Sequence, residues 1–337
     1  MTTLMSFSSI IGQPLAVDLC GRWLAQNTNQ PLLFYGPEGT GKRTLALEIA
    51  KALNCKDVSV LKTNDTPTLR YSHTPIRVSC DVCSSCRRIA NGQHPDVRVV
   101  DFNFQAAERD ETVTKQQTLR IETILDERRR LFQSSVEGPW KVMILDEAHR
   151  LTPDAANVLL KILEEPPAKT AIFLLTPFRD RLFPTVVSRT QPVRFKPLTD
   201  DEMRECLAAL HVPGDNQIRL IELALGSPGK ALHLNREEQI ESLREAEELW
   251  QRLLQEKMSA GLTRSEGRSK AARPTRADIE EKVQALLLPA GRALRSGDPT
   301  APPAIGLIQN ALTQLRQNVQ PSLVYDYLLM ELTRTRR

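Results

Sequence analysis

No stretch of the 337 residues approaches the ~20 consecutive apolar positions that cross a bilayer, so no membrane helix is expected. The first residues, M-T-T-L-M-S-F-S-S, place no basic segment ahead of an apolar one, which argues against a secretory signal. The expectation is an intracellular, cytoplasmic chain with no membrane partner. Aromatic residues are few, at 5%, but total apolar content is ordinary at 41%, so a packed core is still permitted. Neither sign of charge dominates. Lys and Arg number 45 and Asp and Glu 41, a net of +4 that neither requires nor excludes nucleic acid. There is no internal repeat, no helix-turn-helix pattern and no motif that reads bases. The length fits two or three domains.

Periodicity alternates between two kinds of segment. P-L-L-F-Y (31–35), V-R-V-V (97–100), W-K-V-M-I-L-D-E (140–147) and A-I-F-L-L-T (171–176) are short apolar runs of buried-strand type. Residues 14–30, the run that begins at Thr44, residues 116–132 and a segment from Thr152-Pro153 to about Glu165 read as helices. Thr152 is an N-cap there, and Pro166-Pro167 is a stop. This alternation predicts an α/β domain with a parallel sheet flanked by helices. After Pro197 the pattern is all-helical. T-D-D-E (199–202) forms a capping box, and G-S-P-G (226–229) interrupts the helices. Residues 257–277 are polar, basic and aperiodic, and are expected to be a mobile loop. Helices around 303–317 and 321–333 follow.

The segment G-P-E-G-T-G-K-R-T (36–44) lies between a predicted strand and a predicted helix. It matches the phosphate-loop pattern G-x-x-x-x-G-K-[ST] at Gly36, Gly41 and Lys42, with Gly39 adding a further flexible point. Such a loop crowds backbone N–H groups around phosphate oxygens, and Lys42 would reach the β- and γ-phosphates. The magnesium-binding hydroxyl is missing, because Arg43 stands in its place. Thr44 comes one residue late, and adjacent residues at a helix start point about 100° apart. Asp146 and Glu147 end a buried strand, where they are placed to hold magnesium and to polarise an attacking water. A pair of acids capping the next turn is the plainer alternative. The letters D-E-A-H also spell a helicase box, which would need a second motor domain.

Six cysteines occur. Cys80, Cys83 and Cys86 form C-x-x-C-x-x-C, which in a reducing compartment indicates metal or redox chemistry before disulfides. Cys55, at the end of the phosphate-loop helix, is the natural fourth ligand of a tetrahedral, structural Zn2+ site. Cys20 and Cys206 read as isolated core residues.

L-L-K-I-L-E-E-P-P (159–167), V-V-S-R-T (186–190), I-I-G-Q (10–13) and the cysteine insert between the two nucleotide motifs together resemble the bacterial clamp-loader branch of the AAA+ ATPases. Q-N-V-Q-P-S-L-V-Y-D-Y-L-L-M-E-L (317–332) is similar to the collar helices of that branch. The resemblance implies three parts. Residues 1–197 would form a P-loop AAA+ domain with a zinc-binding insert at 55–90. Residues 198–236 would be a small helical lid, and residues 237–337 an all-α collar for oligomerisation. Arg189 matches the family's trans-acting arginine finger, with Thr190 where the family has cysteine. Thr176 matches sensor 1, and Lys230 is a displaced candidate for sensor 2.

Two kinds of subunit in the branch are similar to the chain: the gamma/tau ATPase motor and the delta-prime type described as a stator. G-S-P-G-K-A-L (226–232) and Arg43 favour the second, with ATP/Mg2+ binding weakened and turnover slow or absent. Implied partners are gamma/tau and delta subunits, the sliding clamp (beta) and, through the complex, primed DNA. The basic run Arg128–Arg130 and the cluster at 264–276 are able to meet phosphates but read better as a solvated helix face and a loop.

Overall fold

The computed structural model describes residues 10–57, 59–61, 76–113, 116–235, 245–252, 276–317 and 319–335. The chain divides into two compact units, Met1–Ala231 and Leu232–Arg337.

The strands of the first unit are β1 (Leu32–Tyr35), β2 (Ser59–Leu61), β3 (Ile76–Val78), β4 (Val97–Val100), β5 (Lys141–Leu145), β6 (Thr170–Thr176) and β7 (Gln191–Arg194). Five of them form a parallel sheet in the order β4-β5-β6-β1-β7, and β2 pairs with β3 antiparallel. The four runs expected as strands are the three inner members of this order, β5, β6 and β1, and its β4 edge. β5 and β6 are buried along their whole length, as the faces of a covered parallel sheet must be. Phe34, Ile144 and Phe173 point to one face, where they meet Trp23, Leu45 and Ile49. Leu33, Met143, Leu145, Ile172 and Leu174 point to the other, against Ile124, Leu131, Leu159 and Ile162.

The helices of this unit are α1 (Pro14–Gln26), α2 (Lys42–Asn54), α3 (Ser84–Ala90), α4 (Phe102–Arg109), α5 (Ile121–Phe132), α6 (Pro153–Glu164), α7 (Pro184–Val187), α8 (Asp200–Ala209), α9 (Gly214–Ala224) and the start of α10 (Pro228–Leu234), which continues past the boundary at Ala231. α1 stops before residue 30 because Asn27 turns left-handed, at φ 51°. α5 begins five residues later than the periodicity indicated. Leu119 instead bridges in parallel to Leu151, and the Gln116 side chain accepts a bond from buried Gln105. Thr152 caps α6 by accepting from the Ala155 N–H. The Thr199–Glu202 capping box opens α8 as read. β7 escaped detection because Pro192 interrupts its apolar pattern; proline is tolerated there because β7 is an edge strand.

The second unit is helical wherever described: α11 (245–252), α12 (Arg276–Ala285), α13 (Leu287–Arg295), α14 (Ala301–Arg316) and α15 (Pro321–Thr335). Its core includes Trp250, Val283, Leu286, Ile308, Leu315, Val324 and Leu328. The loop expected at 257–277 lies outside the described residues up to residue 275. Arg276 opens α12 and donates to the carbonyls of Leu315 and Val319. Among the described residues, no helix is long and apolar enough to cross a membrane.

Candidate nucleotide site

The C-terminal ends of β1, β4, β5 and β6 lie side by side, which is where open α/β sheets gather ligands. β1 delivers the loop 36–41, β4 delivers Asp101, β5 delivers Asp146 and Glu147, and β6 delivers Thr176.

Gly36, Gly39 and Gly41 all have positive φ, at 138°, 69° and 95°. Two of them also need the missing side chain for space. A Cβ on Gly36 would lie 2.2 Å from the Phe195 carbonyl oxygen, and one on Gly39 would lie 2.4 Å from Ser227 Oγ. Gly41 caps α2 and faces open space. The Lys42 ammonium is buried and turns back into the loop, donating to the carbonyls of Gly36 (2.6 Å) and Pro37 (2.5 Å). Burial pushes its pKa down to about 8, against the opposing pull of Asp146 and Glu38.

Arg43 is not a bystander. Its Nη1 bonds Asp101 Oδ2 at 2.9 Å and lies 3.6 Å from Asp146 Oδ2. The guanidinium thus sits on the carboxylate that the motif assigns to a cation. Asp101 was not singled out in the sequence. The available signal was its place directly after a parallel strand, and the β4–β5 register sets Val100 beside Leu145, and so Asp101 beside Asp146. Asp146 also accepts from the Glu147 N–H, and burial raises its carboxyl pKa. Glu147 is left-handed at φ 49° and pairs with Arg150 at 2.8 Å; burial raises its pKa as well. Thr44, in the first turn of α2, is half-buried and its side chain makes none of the polar contacts that join Arg43 to the two acids. Thr176 is fully buried. Its hydroxyl lies 3.3 Å from His149 Nδ1, and accepts from the Phe178 N–H at 3.0 Å.

The turn before α10 is fastened to the loop. Ser227 Oγ donates to the Glu38 carbonyl at 2.8 Å, and the Gly229 N–H donates to the Gly39 carbonyl at 2.9 Å. A Cβ on Gly229 would stand 2.7 Å from Gly39 Cα. Glycine at 229 therefore allows backbone to touch backbone, a contact that the sequence pattern did not reveal. Lys230 is exposed and bonds Ser227 Oγ through its backbone N–H.

Arg189 stands apart from this loop, after α7. It is paired with Glu164 at the end of α6 and donates to the Thr185 carbonyl. Of the basic run, Arg129 pairs with Asp126, whereas Arg130 is mostly buried and donates to Glu127 and to the carbonyls of Asp96 and Val142. The solvated-face reading therefore fails for Arg130, which joins α5 to the sheet.

The four predicted cysteine ligands converge. The Sγ atoms of Cys55, Cys80, Cys83 and Cys86 all lie within 4.8 Å of one another. Backbone N–H groups of Cys80, Cys83 and Cys86 point at the sulfurs of Cys55, Cys80 and Cys83 respectively. Burial alone would raise the Cys83 pKa, but N–H donors from Cys86 and Lys56 outweigh it and bring the thiol to about 6. Four clustered sulfurs, one already favouring thiolate, fit a closed thiolate site for a metal such as zinc. Cys20 is buried, and its thiol is pushed far up by burial. Cys206 is half-buried.

The glycine loop, the acid-tipped strands and the strand order define a P-loop α/β fold of the AAA+ class. Residues 12–199 match the family described as "DNA polymerase III, delta subunit". The chain belongs to this family of clamp-loader proteins. It is 31% identical over 210 residues to the DNA polymerase III subunit gamma/tau of Mycobacterium tuberculosis strain H37Rv, covering 61% of this chain and 31% of that protein. It is 29% identical over 207 residues to the delta' subunit of Bacillus subtilis strain 168, covering 61% of this chain and 54% of that protein. The chain thus spans about a third to about half of the length of these relatives. A solved gamma subunit-related protein of Thermotoga maritima MSB8 shares the fold, with TM-score 0.50 and 17% identity over 96% of this chain and all of that one.

Proposed function

We propose that this chain is a delta-prime-like, non-motor subunit of a DNA polymerase III clamp loader. The observation that carries the reading is Arg43, whose guanidinium lies on Asp101 and Asp146 where a turnover-competent site needs a divalent cation. An internal cation held on the two acids competes with magnesium for them. The back-folded Lys42 and the Ser227–Gly229 clasp act in the same direction, since both must move before phosphates fill the loop.

In this role residues 1–197 form the AAA+ domain, 198–236 the lid and 237–337 the collar that joins the gamma/tau and delta subunits in a pentameric ring. Arg189 is offered to the ATP site of a neighbouring motor subunit. A guanidinium there stabilises charge that develops on the γ-phosphate, an effect worth ~10³ to 10⁵ in rate where it has been measured. The assembled ring loads the sliding clamp onto primed DNA. Zinc on Cys55, Cys80, Cys83 and Cys86 holds the insert against the end of α2 and takes no part in turnover.

A gamma/tau-type reading is favoured by one observation: Lys42 still opens α2 behind the glycine loop, and Asp146, Glu147 and Thr176 still lie at strand ends. Reconstitution with the other loader subunits tests the stator role. An Arg189→Ala subunit should sharply lower ATP turnover on primed DNA, and unchanged turnover would remove the finger assignment.

A further inference from the structure

The side chain of Arg189 is already ordered within its own chain. Its Nε lies 2.7 Å and its Nη2 2.5 Å from the same oxygen, Glu164 Oε1. Its Nη1 donates to the Thr185 carbonyl at 3.1 Å, with Ser188 Oγ at 3.5 Å. Glu164 is the last residue of α6, and Thr185 lies within α7, so both anchors are part of regular helices.

A guanidinium has five N–H groups in one plane. Glu164 takes the edge formed by Nε and Nη2, and Thr185 takes one hydrogen of Nη1. One N–H on Nη2 is left, and the second on Nη1 is held only by the long, 3.5 Å contact with Ser188 Oγ. Together these form the end of the fork, the arrangement that meets two phosphate oxygens at once. We propose that Glu164 is the positioning residue for Arg189, holding its guanidinium by one edge so that the free end faces a phosphate of nucleotide bound to an adjacent subunit. This rests on the reading of Arg189 as a finger acting in trans.

Exposure shows what the pair is for. The side chains are 36% and 48% exposed, and pairs this open add little to folding stability. Their effect is geometric. An arginine side chain has many rotamers, and fixing one in advance removes that ordering loss from the moment of phosphate contact. Glutamate also has the length to reach Nε and Nη2 from the end of α6.

The test compares loaders reconstituted with wild-type, Glu164→Ala, Glu164→Gln, Arg189→Ala or doubly substituted subunit, on clamp and primed DNA. Steady-state kcat and the KM for ATP are read for each. Glu164→Ala should lower kcat by about ten- to a hundredfold, the scale of a misplaced catalytic group, with little change in KM. Glu164→Gln, whose amide oxygen still accepts from the guanidinium, should recover part of the loss. The double variant should be no slower than Arg189→Ala alone. Wild-type kcat for Glu164→Ala, beside an impaired Arg189→Ala, overturns the role of Glu164 and leaves the finger standing. So does a further loss in the double variant, since Glu164 would then act by another route. An unimpaired Arg189→Ala overturns both.

Discussion

Replacing Arg43 with serine removes a guanidinium that lies 2.9 Å from Asp101 and 3.6 Å from Asp146. At such distances two unit charges attract by about 1 kcal/mol in water and about 5 kcal/mol at an effective dielectric constant of 20. The Arg43 side chain is 48% exposed, so the aqueous end of that range governs. A divalent cation that takes Asp146 must displace roughly 1 kcal/mol from each acid, or about 2 kcal/mol together. Removing that competitor should tighten magnesium-dependent nucleotide binding by about ten- to a hundredfold. Serine also restores the hydroxyl that the phosphate-loop pattern calls for, so the gain should not fall below this range. The assay is titration of a fluorescent ATP analogue into wild-type and Arg43→Ser protein, with magnesium and with EDTA. The expected result is a weak magnesium effect in the wild type and a strong one in the variant. Equal magnesium dependence in the two proteins would refute the idea that Arg43 occupies the cation's place.

Metal analysis should find about one equivalent of zinc in the purified protein, and Cys83→Ser should lose it. A chelator should lower the melting temperature of the wild type but leave that of the variant unmoved. Lys42 supplies a pH test. Its folded pKa of about 8 is depressed below the ordinary 10.5, so its contribution to stability is present above 10.5 and lost as pH falls through 8. Relative to Lys42→Met, the wild type should therefore gain stability between pH 8 and 10.5, by up to about 3 kcal/mol; parallel denaturation midpoints across that window would contradict this. Gly229→Ala places a Cβ 2.7 Å from Gly39 Cα. It should cost about 1–3 kcal/mol in chemical denaturation and speed amide exchange in residues 36–44.

Local pattern made much of this protein readable. The strands β1, β4, β5 and β6 are short runs dominated by apolar residues, and the three crowded cysteines announced a ligand set whose fourth member, Cys55, lies 25 residues before Cys80 at the end of α2. Arg43 was conspicuous because one letter broke a motif. Its partner Asp101 was not, because their meeting depends on β4 lying next to β5 in the sheet, and no periodicity in the sequence states that order. The Ser227–Glu38 bond joins residues 189 positions apart, and glycine at 229 carries no side chain to advertise its contact. β7 was hidden by Pro192, which only an edge strand accommodates. Glu164 looked like one acid in a helix-ending L-E-E-P-P run until Arg189 was found against it.

ATP turnover by the purified chain, alone and then with clamp and primed DNA, tests the central claim most directly. If Arg43, Lys42 and the clasp from α10 keep the loop from assembling a magnesium-nucleotide site, turnover stays at background in both conditions. Turnover stimulated by clamp and primed DNA to the level of a motor subunit would contradict the account and make the chain a gamma/tau-type ATPase.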